Sequence, residues 1–198
     1  MASTTPAPVG ALPSAEGERP RKVLPMGVLL LATSCAMVFG TLIAAYLHLR
    51  RLSDGWPPRG VRLDLYLGNM LVITMLLSAV SMEWACYALR RGERRQACAA
   101  LATTLGFGVA FLNLLWYTAD RARFHAASHP YGLVVTALVV LVGIAVGIGI
   151  VYATLTLLRV AGRQLSAAES DHLRATACYW HFTVAACVAV WYTVAVLK

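Results

Sequence analysis

One charged side chain stands inside the long apolar stretch 65–89: Glu83, followed at once by Trp84. A carboxylate at membrane depth costs on the order of 3 kcal/mol even on insertion scales, so it persists where something binds, protonates or pairs with it. The chemistry open to Glu83 is therefore proton handling or a polar pair with a basic group. His181, inside the apolar stretch 175–197, is the basic group at comparable depth. Its neighbours three and four residues away, Ala177, Cys178, Val184 and Ala185, are mostly small, so a second helix can press against that face. Two arrangements follow. In one, Glu83 and His181 meet across two helices and satisfy each other where no water can. In the other, the carboxyl stays neutral or reaches along its own helix towards Tyr87 and Arg90. The second is favoured, because nothing in the order of residues makes those two helices neighbours.

The remaining ligand-type residues do not converge. A haem held in the bilayer by imidazoles needs two histidines on facing helices. Only His181 is deep: His48 closes the first apolar stretch, and His125, His129 and His172 fall in connecting loops. A loop metal site from His125 and His129, four residues apart, is the lesser reading beside ordinary surface histidines. The five cysteines, Cys35, Cys86, Cys98, Cys178 and Cys187, form no C-x-x-C pair and read as small apolar packers. No metal and no cofactor is expected in this chain.

The elements that must position Glu83 and His181 are membrane helices. Of 198 residues 59% are hydrophobic and 13% charged, with a mean hydropathy of +0.67, well below the charge content of a soluble domain. The expected architecture is an all-α membrane protein, a bundle of five transmembrane helices over about residues 26–49, 65–89, 97–119, 131–158 and 175–197. Each is long enough for a hydrocarbon core of roughly 30 Å at about 1.5 Å per residue. Residues 1–25, rich in Pro, Ala, Ser and Thr, read as a disordered cytoplasmic tail, and 26–198 as the membrane domain. The basic residues before Met26 imitate a signal peptide. The apolar run that follows, however, outlasts the 7–15 residues of about such a segment's length, so the first span is expected to be retained.

Between the spans, Trp56 in the loop Gly55-Trp56-Pro57-Pro58 suits the headgroup layer as an anchor. Ser166 and Glu169 fit a capping box ahead of the last span. Gly143 and Gly147, four apart, would let another helix approach closely. Ten Lys and Arg lie on the side of the N-terminus against seven on the other, which predicts the N-terminus in the cytoplasm and the C-terminus outside. The 17 basic residues against 9 acidic ones sit in short clusters between spans, so they set orientation and do not form a nucleic-acid surface. The middles of the third and fourth spans carry little beyond Gly, Thr, Tyr and Asn113, which points to a packing module over a conduit.

Several pieces in fixed order carry a family resemblance. They are Phe39-Gly40 and Ala45-Tyr46, then Trp56-Pro57-Pro58, then residues 78–85 (Ser-Ala-Val-Ser-Met-Glu-Trp-Ala) with Gly92 after them, then Tyr131-Gly132, then Tyr179-Trp180-His181-Phe182. From about Met26 onward this order resembles subunit III of the haem-copper oxidases, in a divergent five-helix form without the first two helices of the longer subunit. The resemblance implies a multi-pass protein of a bacterial plasma membrane. It would be a non-catalytic accessory subunit that stabilises the catalytic subunit I, has subunit II as a further partner, and holds phospholipid. Haem and copper would lie in the partner subunits. Trp84, Trp180 and His181 would belong to the retained structural and lipid-facing set, with Trp56, and Glu83 to a contact of this chain alone.

The chain also departs from that pattern. Ser34 stands for a membrane glutamate, Leu115-Trp116-Tyr117-Thr118-Ala119 for Gln-Ala-Tyr-Glu-Tyr, Leu141-Val142-Gly143-Ile144-Ala145 for Phe-His-Gly-Leu-His, and Val184 for an acidic residue. Glu83 stands where the pattern is uncharged. An accessory subunit of a nitric oxide reductase of the same superfamily, or a small membrane transporter or adaptor, are the alternative readings. The electron donor, cytochrome c or quinol, is open.

Overall fold

The computed structural model describes residues 23–53, 55–56, 64–121, 129–163 and 171–196. Most of the expected tail, Pro57, Pro58, His125 and the capping box at 166–169 lie outside the described residues. Five helices account for nearly all the rest: α1 (Val23–Leu52), α2 (Leu65–Arg90), α3 (Arg94–Arg121), α4 (Pro130–Ala161) and α5 (Asp171–Ala195). Each is long and apolar enough to cross a membrane, and no strand occurs among the described residues.

Most helices run a few residues past the apolar stretches from which they are expected. Apolarity ends where hydrocarbon ends, but backbone hydrogen bonding continues into the headgroup layer, where Arg94, Arg121 and Arg159 remain helical. The largest such shift is at α5, which begins a full turn early. His172 is thus helical rather than in a loop, and its ring lies 3.2 Å from the Arg159 guanidinium of α4.

Caps explain where two helices start. Asp64 Oδ1 accepts from the backbone N–H of Tyr66 and Leu67 at 3.0 and 3.3 Å, satisfying donors that the first turn leaves over. His129 Nδ1 accepts from the N–H of Tyr131 at 3.3 Å, ahead of Pro130 at the first helical position. Between α2 and α3, Gly92 turns the chain with φ +77°, and Glu93 N–H donates to Ala88 C=O at 3.0 Å. A left-handed residue at that point is the usual end of a helix, and glycine takes it without a Cβ clash. The connection is so short that α3 must fold back on α2, and these two helices make the most extensive pairing in the bundle.

Around that hairpin, α5 lies against α1, α2 and α4, while α4 lies against α1, α3 and α5. The bond pairs Ser78–Trp180 and Asn69–Trp191 run in opposite residue order, so α2 and α5 are antiparallel. The largest fully buried side chains, Trp180, Tyr46, Tyr131, Phe111, Met75 and Met82, come from all five helices and form one core.

Replacing Gly92 by alanine is expected to lower stability by about 1 kcal/mol, because the turn needs a left-handed residue. Gly40→Ala, at an open helical position where an added Cβ meets nothing, should leave stability unchanged or raise it. Thermal unfolding of the detergent-solubilised protein reads both. Equal midpoints for the two variants would refute this account of the turn.

Candidate functional site

Between apolar helices in a bilayer there is no hydrophobic driving force, since lipid tails are as apolar as leucine. Association must come from close packing and from interhelical hydrogen bonds. Trp180 supplies both at one point. Its side chain is fully buried, and its indole N–H donates to Ser78 Oγ of α2 at 3.0 Å. The same ring fills the space over two glycines. A Cβ on Gly108 of α3 would come within 2.9 Å of it, and one on Gly149 of α4 within 3.1 Å. Four helices thus meet on one side chain: a side chain on Gly108 would force a shift there, and one on Gly149 would press the ring by a few tenths of an ångström.

Hydrogen bonds between neighbouring helices extend from this hub. Tyr179 O–H donates to the Ala145 carbonyl of α4 at 3.0 Å. Thr156 and Thr176 hydroxyls meet at 2.7 Å between α4 and α5, and Ser81 and Thr104 at 2.8 Å between α2 and α3. Trp191 donates to Asn69 Oδ1 at 3.1 Å, and its ring occupies the space beside Gly68, where a Cβ could not be built. Phe182 packs edge-on to Phe39, 6.4 Å between centroids, and so ties α1 to α5.

The structure brings Glu83 and His181 together, against the favoured expectation that the carboxyl turns to Tyr87 and Arg90. His181 Nε2 lies 3.1 Å from Glu83 Oε1, while the Tyr87 ring carries the Arg91 guanidinium 4.6 Å above it. The physical reason is direction. Helical side chains lean towards the N-terminal end of their own helix. Glu83 therefore leans away from Arg90, and His181, on an antiparallel helix, leans to meet it. His181 Nδ1 also lies 2.6 Å from the Ala177 carbonyl. A carbonyl only accepts, so Nδ1 carries a proton and donates. The contact between Nε2 and Oε1 then holds one further proton, on the imidazole or on the carboxyl, and the pair is net neutral either way. It is not interior: 65% of the Glu83 side chain and 39% of His181 remain exposed.

The other expected site residues fall in different places. Trp84 faces outward, 47% exposed. Trp56 stacks edge-on against Tyr46 and Tyr131, with centroids 5.3 and 4.9 Å away, and so closes the ends of α1 and α4. Gly143 and Gly147 do not carry the close approach within this chain. A Cβ on Gly147 would meet nothing within 4 Å, and one on Gly143 only an ordinary contact with Leu115 at 3.5 Å. The tight glycine of α4 is Gly149, two residues further on, because that residue turns towards α5. Sequence reasoning missed Gly68, Gly108 and Gly149 as seats for aromatic rings, and Ser78 as an indole acceptor. The available signal was a glycine on three helices matched by tryptophans on a fourth.

Among the described residues no group of three His, Cys, Asp or Glu is close enough to hold a metal ion, and all five cysteines are free. Cys86 and Cys187 are buried in the core, whereas Cys178 is exposed. A cavity of about 360 Å³, lined chiefly by apolar groups that include Leu71, Phe111, Leu115, Val142 and Trp191, opens between α2, α3, α4 and α5. Leu115, Thr118 and Val142 on its wall belong to the two stretches that depart from the oxidase pattern.

A family model described as cytochrome c oxidase subunit III matches residues 14–196. Cytochrome c oxidase subunit 3 of Danio rerio is 33% identical over 172 residues. The proteins of the same name from Gallus gallus and Coturnix japonica are 31% and 30% identical over 171 residues. Each of these alignments covers 82% of this chain and 65% of the relative, so the match spans about two thirds of the relatives' length.

Two substitutions separate the packing and hydrogen-bonding roles of Trp180. Ser78→Ala orphans a buried indole N–H and is expected to cost about 1 kcal/mol. Trp180→Ala empties the junction of four helices and should cost roughly 3–5 kcal/mol. Denaturant titration in mixed micelles measures both. A Ser78→Ala loss as large as that of Trp180→Ala would show that the hydrogen bond, not the ring, holds the bundle.

Proposed function

The chain belongs to the cytochrome c oxidase subunit III family, and from that premise we propose that it is a non-catalytic accessory subunit of a bacterial haem-copper terminal oxidase. In this reading it sits in the plasma membrane as a multi-pass protein, N-terminus in the cytoplasm and C-terminus outside. It packs against the catalytic subunit I, with subunit II in the same assembly, and stabilises it. Haem and copper belong to those partners. Electron transfer to oxygen and proton translocation are the work of the complex.

One observation carries the reading. Several interior polar side chains are engaged helix to helix, as in Ser78–Trp180, Ser81–Thr104, Thr156–Thr176 and Tyr179 with the Ala145 carbonyl. Groups used in this way build a rigid wall, and rigidity is what an accessory subunit contributes. The apolar cavity between α2, α3, α4 and α5 supports the further proposal that the chain holds phospholipid, since an acyl chain matches its lining and the surrounding bilayer supplies such chains. Glu83 enters this picture as a structural group, tied to His181.

Purification in mild detergent is expected to bring down a haem protein whose absorption spectrum is absent from this chain alone. Recovery without any subunit I of oxidase or reductase type would sink the proposal, and recovery with a nitric oxide reductase would move it to that branch. Glu83→Gln, which keeps a hydrogen bond to His181, should leave oxygen consumption by the complex within about twofold of the parent, since a structural hydrogen bond in a bilayer is worth only about 0.6 kcal/mol. A large loss of proton uptake in that variant would instead make Glu83 part of the proton path.

A further inference from the structure

The outward face of α2 differs in kind from that of α4. On α4 the exposed residues Val140, Ile144, Ile148, Val151 and Leu155 are all aliphatic, and acyl chains satisfy them. On α2, Ile73, Leu77, Val80, Trp84 and Tyr87 form an exposed stripe at helical spacing with Glu83 set in it. His181 reaches one carboxyl oxygen of Glu83, and the second finds no partner among the described residues. Glu83 lies seven residues before Arg90, about 10 Å along the helix axis, and leans further from that end. Acyl chains offer it no donor. An unmet carboxyl oxygen facing hydrocarbon is several kcal/mol out of place on general desolvation grounds, by roughly the amounts found for other buried acceptors.

We propose that this face of α2 seats a transmembrane helix of the catalytic partner, and that the helix presents an uncharged hydrogen-bond donor, a hydroxyl or an amide, to the second oxygen of Glu83. The inference rests on the accessory-subunit reading and names the surface that reading needs. The donor is uncharged because the Glu83–His181 pair is already neutral. A lysine or arginine brought against it would leave a net positive charge in the bilayer, which is unfavourable. The long apolar stripe on either side of Glu83 fits a helix lying along α2, since side chains three and four residues apart share one face.

The test is photocrosslinking in native membranes from cells that hold the whole complex, with p-benzoylphenylalanine at Val80 on α2 or at Ile148 on α4. Haem in the pull-down of the unsubstituted chain reports on the accessory-subunit reading separately. The expected result is a crosslink from Val80 to the haem-bearing subunit and none to protein from Ile148. If haem co-purifies but Val80 labels only lipid or a second copy of this chain, the docking face is wrong while the reading stands. A crosslink to that subunit from Ile148 alone has the same meaning.

Two variants read the hydrogen bond itself. Glu83→Gln keeps an acceptor oxygen and should retain the partner within about twofold, whereas Glu83→Leu should lose it by roughly three- to tenfold, the size of one interhelical hydrogen bond in a bilayer. Full retention of the partner by Glu83→Leu, with a more heat-resistant chain, would mean that the face meets lipid, and would overturn the proposal.

Discussion

The bundle depends on the room left for one indole. Trp180 is the largest fully buried side chain, and its ring lies where side chains on Gly108 and Gly149 would crowd it. In water a core collapses to remove apolar surface, and many packings will serve. In a bilayer that force is missing between helices, so the shape of the contact decides. A large flat ring set against two glycines, with its N–H fixed to Ser78, specifies the relative height and rotation of α2, α3, α4 and α5 together. Trp191 over Gly68, bonded to Asn69, repeats the arrangement between α2 and α5 nearer the other end of the pair.

That register has a consequence for Glu83. Once Ser78 is held to Trp180, the residue five positions on along α2 is carried to the level at which His181 leans down from α5. The pair is thus a result of the tryptophan seat as much as of any attraction between the two groups. It is neutral as a unit, because the Ala177 carbonyl holds the proton on Nδ1 and one further proton is shared between Nε2 and the carboxyl. A neutral pair lowers the penalty for polarity in the membrane without removing it, and the exposed oxygen is what makes this surface of the chain different from the others.

The cavity shows the reverse situation. At Leu115, Thr118 and Val142 the space between helices is left open and apolar.

Composition and residue order determined that there are five membrane helices, roughly where each lies, and that Glu83 is anomalous. Hydropathy and length act locally along the chain, so these features need no knowledge of neighbours. Motif order around Trp56, Trp84 and the Tyr179-Trp180-His181-Phe182 element carried the family. The tertiary structure alone decided which helices touch. Without that, Glu83 had two partners to choose from and the wrong one was favoured, since the lean of a side chain matters only when the opposite helix is known to be antiparallel and adjacent. The same gap put the close approach on Gly143 and Gly147. Spacing finds glycines on one face of a helix, but only the helix opposite decides which face is used, and here the Trp180 ring selects Gly149.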